Sequence, residues 1–321
     1  MNSKKTTLPV ESCPLCGEKE TSRGFMNFDR LHSLPGSFPV RECSGCSSLY
    51  LKEAPRDPGA YYPEGEYYST YESNTSELRA KRKLIELFYS GGRNRGLLYL
   101  LLYPLRGRVQ GVPDYVPGGR VLDIGCGFGL LLDLLKEAGW ETHGIDISAR
   151  AIELVKKKGH NGVSGELKAG HFDSGYFDAV IMSHSIEHLK SPREYLSLAH
   201  EMLRPGGQII VLAPNARSLG FRFFGRAWAP IETPRHLFVP SPKAMTGLLK
   251  DAGFKTESLK YTGSNWSQSL DYLLNGRYRP GSFFYKPFVS LPLEALAQAL
   301  NLLHLGDSFQ IKARKGPSDA R

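Results

Sequence analysis

Long apolar runs are missing from this 321-residue chain. The longest uninterrupted one, "LLYLLLYPL" from Leu97 to Leu105, is far short of the roughly 20 residues that a spanning helix needs. A soluble or peripheral protein is therefore expected. The N-terminus "MNSKKTTLPVESCPLCG" lacks the apolar region of a secretory signal, so the mature chain should begin near Met1 and remain cytoplasmic. Acid is scarce too. Against 41 Lys and Arg stand 32 Asp and Glu, a formal net charge of +9, which suits an anionic partner without choosing among nucleic acid, acidic lipid and phosphorylated small molecules. Internal repeats and low-complexity tracts are absent. A chain this long buries a large core, and one full-size domain with a smaller appendage is the natural division.

Cysteine is also sparse, but it is concentrated. Four of the five cysteines lie in the first 46 residues, as "CPLC" and "CSGC" separated by 26 residues. Cys13, Cys16, Cys43 and Cys46 read as two zinc knuckles, with Gly17 and Gly45 allowing the tight turns that point both thiolate pairs at one tetrahedral ion. Four thiolates leave no open coordination position, so the zinc is expected to be structural. A disulfide pair in a secreted module is the alternative, and the missing signal opposes it. A connector follows, "DPGAYYPEGEYYSTYESNTSE", with five tyrosines between Tyr61 and Tyr71. Such rings need a surface, either as a strap between ribbon and main domain or as one that also covers a ligand. Arg79 to Arg108 then carries eight Arg or Lys against Glu86 alone, flanking the leucine-rich stretch. Docking on the main domain is the first expectation for residues 79–108, and peripheral contact with an anionic membrane the second.

From Arg120 the chain alternates short apolar runs with helical patterns: "RVLDI", "LLLDLLKEAG", "ETHGI", "SARAIELVKKKG", "FDAVIM", "SPREYLSLAHEMLRPGG", "QIIVLAP". Ser148 and Ser191 are placed as N-caps, Pro192 in a first turn, and Gly139 and Gly159 at helix ends. This alternation predicts an α/β fold, parallel strands with crossover helices on both faces. "SPKAMTGLLKDAGF" repeats the same grammar, and the tail "GDSFQIKARK" is expected as a last strand, antiparallel at the sheet edge. In such sheets the ligand lies beyond the carboxyl ends of the strands. Gly125, Gly127 and Gly129 fall there and let a ligand approach the backbone, while Leu130 stands where a dinucleotide fingerprint has its third glycine. Asp146, after "THGI", is placed to accept from ribose hydroxyls. Asp123 is placed to hold the loop or face an ammonium group.

The motifs "VLDIGCGFG", "GIDIS", "FDAVIMSHSIEHL" and "LRPGGQIIV" resemble, in order and interval, those of class I S-adenosylmethionine-dependent methyltransferases, over roughly Arg120 to Leu212. The resemblance implies a doubly wound, Rossmann-like seven-stranded sheet. It implies that Asp123, Gly125, Cys126, Gly127 and Gly129 hold the methionine part of the cofactor. Asp146 would take the ribose and Ile147 the adenine. A nicotinamide-binding domain is the weaker alternative, and an inactive fold kept as a zinc-ribbon adaptor is another.

Methyl transfer from a sulfonium is an in-line displacement in which positioning dominates and a base is needed for a hydroxyl or acidic carbon. After "FDAVIM" come His184, Glu187 and His188; His188 is the first candidate base, with Glu187 orienting it. The same three suggest metal ligands, since a similar segment of quinone-biosynthesis O-methyltransferases carries two glutamates and a histidine, with His184 here at the first glutamate position. "WAPIETPRHLF" adds Trp228, Arg235 and His236 where class I enzymes place acceptor contacts, Arg235 for a phosphate or carboxylate. A surface pair of Arg235 with Glu232 is the plainer reading.

The layout as a whole is similar to nucleotide-sugar C-methyltransferases and to enzymes of glycan or lipopolysaccharide clusters. By that similarity Tyr68 or Tyr71 acts at the substrate with His188. Only about a hundred residues follow the core strands, where those enzymes usually carry another full domain, so O-methylation is at least as well supported as C-methylation. The sequence expectation is a zinc-ribbon module over 1–56, a tyrosine strap and basic linker over 57–118, and a methyltransferase domain over 119–321. Its acceptor is expected to be sugar-containing. Zinc-ribbon RNA methyltransferases and quinone or other small-molecule O-methyltransferases are the alternatives.

Overall fold

The computed structural model describes residues 7–62, 110–279 and 281–316. Tyr68, Tyr71 and the basic segment 79–108 lie outside the described residues. The N-terminal part is all β: β1 (Thr7–Pro9), β2 (Thr21–Asn27), β3 (Phe38–Cys43), β4 (Leu49–Leu51) and β5 (Glu53–Pro55). The main sheet contains β6 (Arg120–Ile124), β7 (Glu141–Asp146), β8 (Asn161–Ser164), β9 (Phe177–Ser183) and β10 (Leu203–Pro214). A short β11 (Phe238–Val239) comes next, then β12 (Phe254–Thr262) and β13 (Ser308–Lys315). The helices are α1 (Leu130–Glu137), α2 (Ala149–Lys157), α3 (Pro192–Met202), α4 (Leu219–Phe224), α5 (Pro242–Asp251), α6 (Trp266–Asn275) and α7 (Pro287–Leu302).

The main sheet has seven strands in the order β12-β13-β10-β9-β6-β7-β8. β10, β9, β6, β7 and β8 pair in parallel. Val180, Ile181, Met182, Ile209, Ile210 and Val211 are all buried, as expected of parallel strands covered on both faces. This is the α/β, Rossmann-like methyltransferase sheet that the sequence implied. One expectation needs correction. β13 is antiparallel, but it lies inside the sheet, hydrogen-bonded to β10 on one side and β12 on the other. Buried Phe309, Ile311 and Ala313 alternate with Gln310 and Lys312, and Gln310 finds a partner in the amide of Gly111, so an alternating strand is satisfied at an interior position.

Helix ends follow the local chemistry. Ser148, Ser218 and Ser241 accept from the amides three residues on, a capping bond typically worth about 1 kcal/mol. Ser191 occupies the N-cap position of α3 but makes no such side-chain bond. Gly139 and Gly159 close α1 and α2 with φ of 89° and 79°.

The N-terminal strands do not form a separate body. β2, β3 and β4 make a four-stranded sheet whose other edge is β11, contributed from after β10. Leu15, Phe38, Val40 and Leu49 share one hydrophobic core with Ile186, Trp228 and Phe238. Each such burial is worth about 1.5–3 kcal/mol. A buried ion pair between Arg235 and Asp29, with Nη2 to Oδ1 at 2.7 Å, crosses the same boundary.

Candidate active site and cysteine cluster

The two knuckles are built alike. Cys13 and Cys43 each accept from the amide four residues on, at Gly17 and Ser47, and each donates its own amide to the carbonyl five residues on. The turn requires a left-handed residue at the fourth position. Gly17 has φ of 80° and Ser47 φ of 56°, so the strained position of the second knuckle belongs to Ser47 and not to Gly45. Gly45 serves a different need, because a Cβ there would approach Glu18 to 3.3 Å. Sγ of Cys13 lies 3.7 Å from that of Cys46, and Sγ of Cys16 3.5 Å from that of Cys43. All four sulfurs fall within 4.8 Å of one another. A tetrahedral ion with bonds of about 2.3 Å separates its sulfurs by about 3.8 Å, so the set fits zinc. Without an ion, hydrogen bonding from Cys13 brings the Cys46 thiol down to about 5, while the same contact pushes Cys13 up and burial pushes Cys16 to about 11.

At the carboxyl edge of the main sheet, Gly125, Gly127 and Gly129 have φ of 80°, 51° and 77°. A Cβ on Gly125 would stand 2.5 Å from that of Ser185, so the loop after β6 presses against the loop after β9. No side chain caps the first turn of α1, which leaves its amides to a ligand. Asp146 fixes the loop with both oxygens, Oδ2 accepting from Gly127 N and Oδ1 from Ser148 N, each at 2.9 Å. Asp123 is buried, and among the described residues its Oδ1 has no hydrogen-bond partner. Burial and the neighbouring Asp146 charge push its carboxyl up to about 7. An orphaned acid beside a bare loop fits a cationic ligand, and S-adenosylmethionine carries both an ammonium and a sulfonium. Ile147, which follows Asp146, is exposed at the same edge, as an adenine contact requires. Cys126 is buried; its sulfur would touch a Cβ on Gly144 at 2.6 Å, so it packs the loop onto β7.

Beyond β9 the chain turns sharply at His184, with φ of 53°, into the short helix Ile186–His188. Glu187 is fully buried, and among the described residues neither carboxylate oxygen has a hydrogen-bond partner. Its Oε1 lies 3.4 Å from His184 Nδ1 and 3.9 Å from His236 Nε2. Burial alone would raise this carboxyl, but the attraction of His184, His236 and His188 outweighs it and draws Glu187 down to about 2. Burial and the nearby His236 hold His188 below its ordinary value. His188 Nδ1 lies 3.1 Å from the Arg235 carbonyl. A carbonyl only accepts, so that bond requires the proton at Nδ1 and leaves Nε2 basic. His236 Nδ1 bonds the Pro230 carbonyl at 2.8 Å in the same manner.

Several expectations change on this geometry. The ligand atoms that converge are those of Glu187, His188 and His236, within 4.8 Å of one another; His184 approaches only the carboxylate. Arg235 is buried, its guanidinium bonded to Asp29, Glu232 and the Tyr61 carbonyl, so it braces the site from behind and does not reach an acceptor. Its pairing with Glu232 is real but interior. Trp228 is likewise core, with its indole N–H donating to Asp307. The connector tyrosine beside His188 is Tyr62, with its hydroxyl 2.9 Å from Nδ1. Sequence reasoning passed over Tyr62; the signal available was its place at the start of the tyrosine-rich connector.

A family described as "Methyltransferase domain" matches residues 97–259. Ubiquinone biosynthesis O-methyltransferase of Bordetella avium is 26% identical over 167 residues, covering 47% of this chain and 68% of that one. The same-named protein of Aromatoleum aromaticum is 30% identical over 157 residues, 44% of this chain and 66% of the relative. In Chelativorans sp. the figures are 30% over 175 residues, 49% and 69%. A solved S-adenosylmethionine-dependent methyltransferase of Archaeoglobus fulgidus aligns with 73% of this chain and 99% of its own, at 26% identity and a TM-score of 0.44. The family match spans half of the sequence, and the bare loop with its two aspartates lies inside it: the chain belongs to the S-adenosylmethionine-dependent methyltransferases.

Proposed function

We propose that this enzyme transfers the methyl group to a hydroxyl of a small-molecule acceptor, with His188 as the base. The observation that carries this reading is the Tyr62–His188 contact beside the buried Glu187. S-adenosylmethionine, when bound, supplies an electrophilic methyl on a sulfonium. The chain's own residues do the rest. Asp146 holds the Gly127 amide in place, and Asp123 accepts the ligand's positive charge. The Arg235 carbonyl keeps His188 in the tautomer that takes a proton at Nε2, and the Tyr62 hydroxyl contacts the same Nδ1. Ionised Glu187 steadies the imidazolium that forms.

The names of the relatives favour a small-molecule hydroxyl over the sugar-containing acceptor expected from layout. The four cysteines are assigned to structural zinc. In a second reading, favoured by the orphaned Glu187 oxygens, a divalent cation is held by Glu187, His188 and His236 and lowers the acceptor's pKa. Both histidines already give Nδ1 to a backbone carbonyl, the orientation that metal-bound imidazoles take.

Methyl-labelled S-adenosylmethionine and cell extract, with His188→Gln as blank, test the reading. Label should enter a small-molecule or lipid fraction as an alkali-stable ether; label in RNA or polysaccharide overturns it. Loss of activity with a chelator, restored by Mn²⁺ in wild type but not in Glu187→Gln, selects the second reading.

A further inference from the structure

The segment between β12 and β13 leaves and rejoins the sheet at its carboxyl edge. Thr262 pairs with Ser308, and Ser308 pairs with Pro214 at the end of β10. The α6–α7 hairpin therefore rises from the same edge as the glycine loop and His188. α7 turns Ala297 and Leu300 inward. On its opposite face Phe288, Leu291, Ala295, Ala299 and Leu302 recur at steps of three and four and are all exposed. Phe288, Leu291 and Leu302 keep 68%, 66% and 83% of their surface in solvent. α7 therefore carries a second apolar face besides its buried one, set off by the polar stripe of Ser290, Glu294 and Gln298, and such a face belongs against an apolar medium or a partner.

The outward face does not end with α7. The ring of Phe283 packs edge-on to Phe288 at 5.4 Å, and both Phe283 and Leu274 are exposed. Isolated exposed leucines need no explanation, but a continuous apolar ridge does. Arg277, Arg279 and Lys286 are exposed along this ridge, whereas Glu294 is the one acid of α7.

We propose that the α6–α7 hairpin rests on an anionic bilayer surface. Phe283, Phe288, Leu291 and Leu302 enter the acyl boundary, and Arg277, Arg279 and Lys286 meet the lipid phosphates. An interfacial helix lies in the membrane plane with apolar residues down and cations at headgroup level. The charge decides between this occupant and a second copy of the chain, because a twofold contact through the ridge would bring its own cations together. The hairpin would present the carboxyl edge to an amphiphilic acceptor drawn from the bilayer; that consequence rests on the small-molecule O-methyltransferase reading, whereas the lipid contact does not.

The test is flotation of the full chain with vesicles of phosphatidylcholine alone or mixed with phosphatidylglycerol. Wild type should float with the mixed vesicles only. Phe288→Ser with Leu291→Ser should weaken this at least about tenfold, and Arg277→Gln with Arg279→Gln should reduce it about fivefold or more. Cofactor affinity by calorimetry should be unchanged in both variants, which shows that they fold. Fluorescence of Leu291→Trp should be quenched by brominated lipid. Absence of wild-type flotation overturns the proposal. So does flotation that survives the serine pair, which would move the lipid contact elsewhere in the chain. Self-association abolished by the serine pair, without flotation, assigns the ridge to a second copy instead. No arm depends on methyl transfer, so the acceptor reading stands or falls separately.

Discussion

The hydroxyl of Tyr62 and Nδ1 of His188 stand 2.9 Å apart, joining residues 126 positions apart in sequence. The contact ties the start of the connector to the loop after β9.

Removing that hydroxyl should slow chemistry without affecting the cofactor. Tyr62→Phe is expected to lower kcat about tenfold, and His188→Gln by about a hundredfold or more. Burial and His236 depress the His188 pKa, so the neutral base persists to lower pH than an ordinary histidine. The acid limb of kcat/KM should therefore have its midpoint below about 6.5, and His236→Gln should move it toward alkaline pH. A pH–rate profile checks both signs.

Cofactor affinity should depend on pH through Asp123. Its carboxyl is pushed up to about 7 by burial and by Asp146, and a cationic ligand binds its ionised form. Affinity by calorimetry should rise between pH 6 and 8, and Asp123→Asn should flatten the rise. Asp146→Ala should weaken binding more than about tenfold at every pH, because it also frees the Gly127 amide.

Breaking the Asp29–Arg235 pair should be costly. Asp29→Ala leaves a buried guanidinium and is expected to destabilise by about 3–5 kcal/mol. Asp29→Ala with Arg235→Met should recover part of that. Burial alone would raise the Asp29 carboxyl, but bonds and attraction from Arg235 hold it below its ordinary value. Its folded pKa is thus lower than its unfolded one. This contribution is complete above about pH 4 and is lost as pH falls through the folded value. Thermal melts of wild type and the double variant should converge below that point.

One zinc per chain is expected by elemental analysis, and Cys43→Ser should abolish it. Ser241, the cap of α5, donates its hydroxyl to the Cys46 carbonyl and its amide to the Ser48 hydroxyl. Chelation should therefore lower the melting temperature of the whole chain in one transition, as calorimetry can establish.

Much of this was legible in local pattern. The C-x2-C spacing, the alternation from Arg120 and the glycine loop each depend on residues near one another. What was not legible depends on partners far apart. "RHLF" signals polar residues in an apolar setting, yet only the fold turns Arg235 toward Asp29, 206 residues away, and His236 toward Glu187. Alternation likewise identifies β13 as a strand but carries no information on its slot, since Gln310 is exposed in an edge strand and hydrogen-bonded in an interior one.

The four-stranded sheet also sets a timetable for the nascent chain. β4 leaves the ribosome roughly 190 residues before its neighbour β11, an interval of about 10 to 40 s at common elongation rates. Throughout it the edge of Leu49–Leu51 is unpaired and Asp29 has no counter-charge. All four cysteine sulfurs, by contrast, lie within the first 46 residues. A captured metal ion can hold the early-born segment in shape while it waits for Arg235, Phe238 and Val239 to be synthesised.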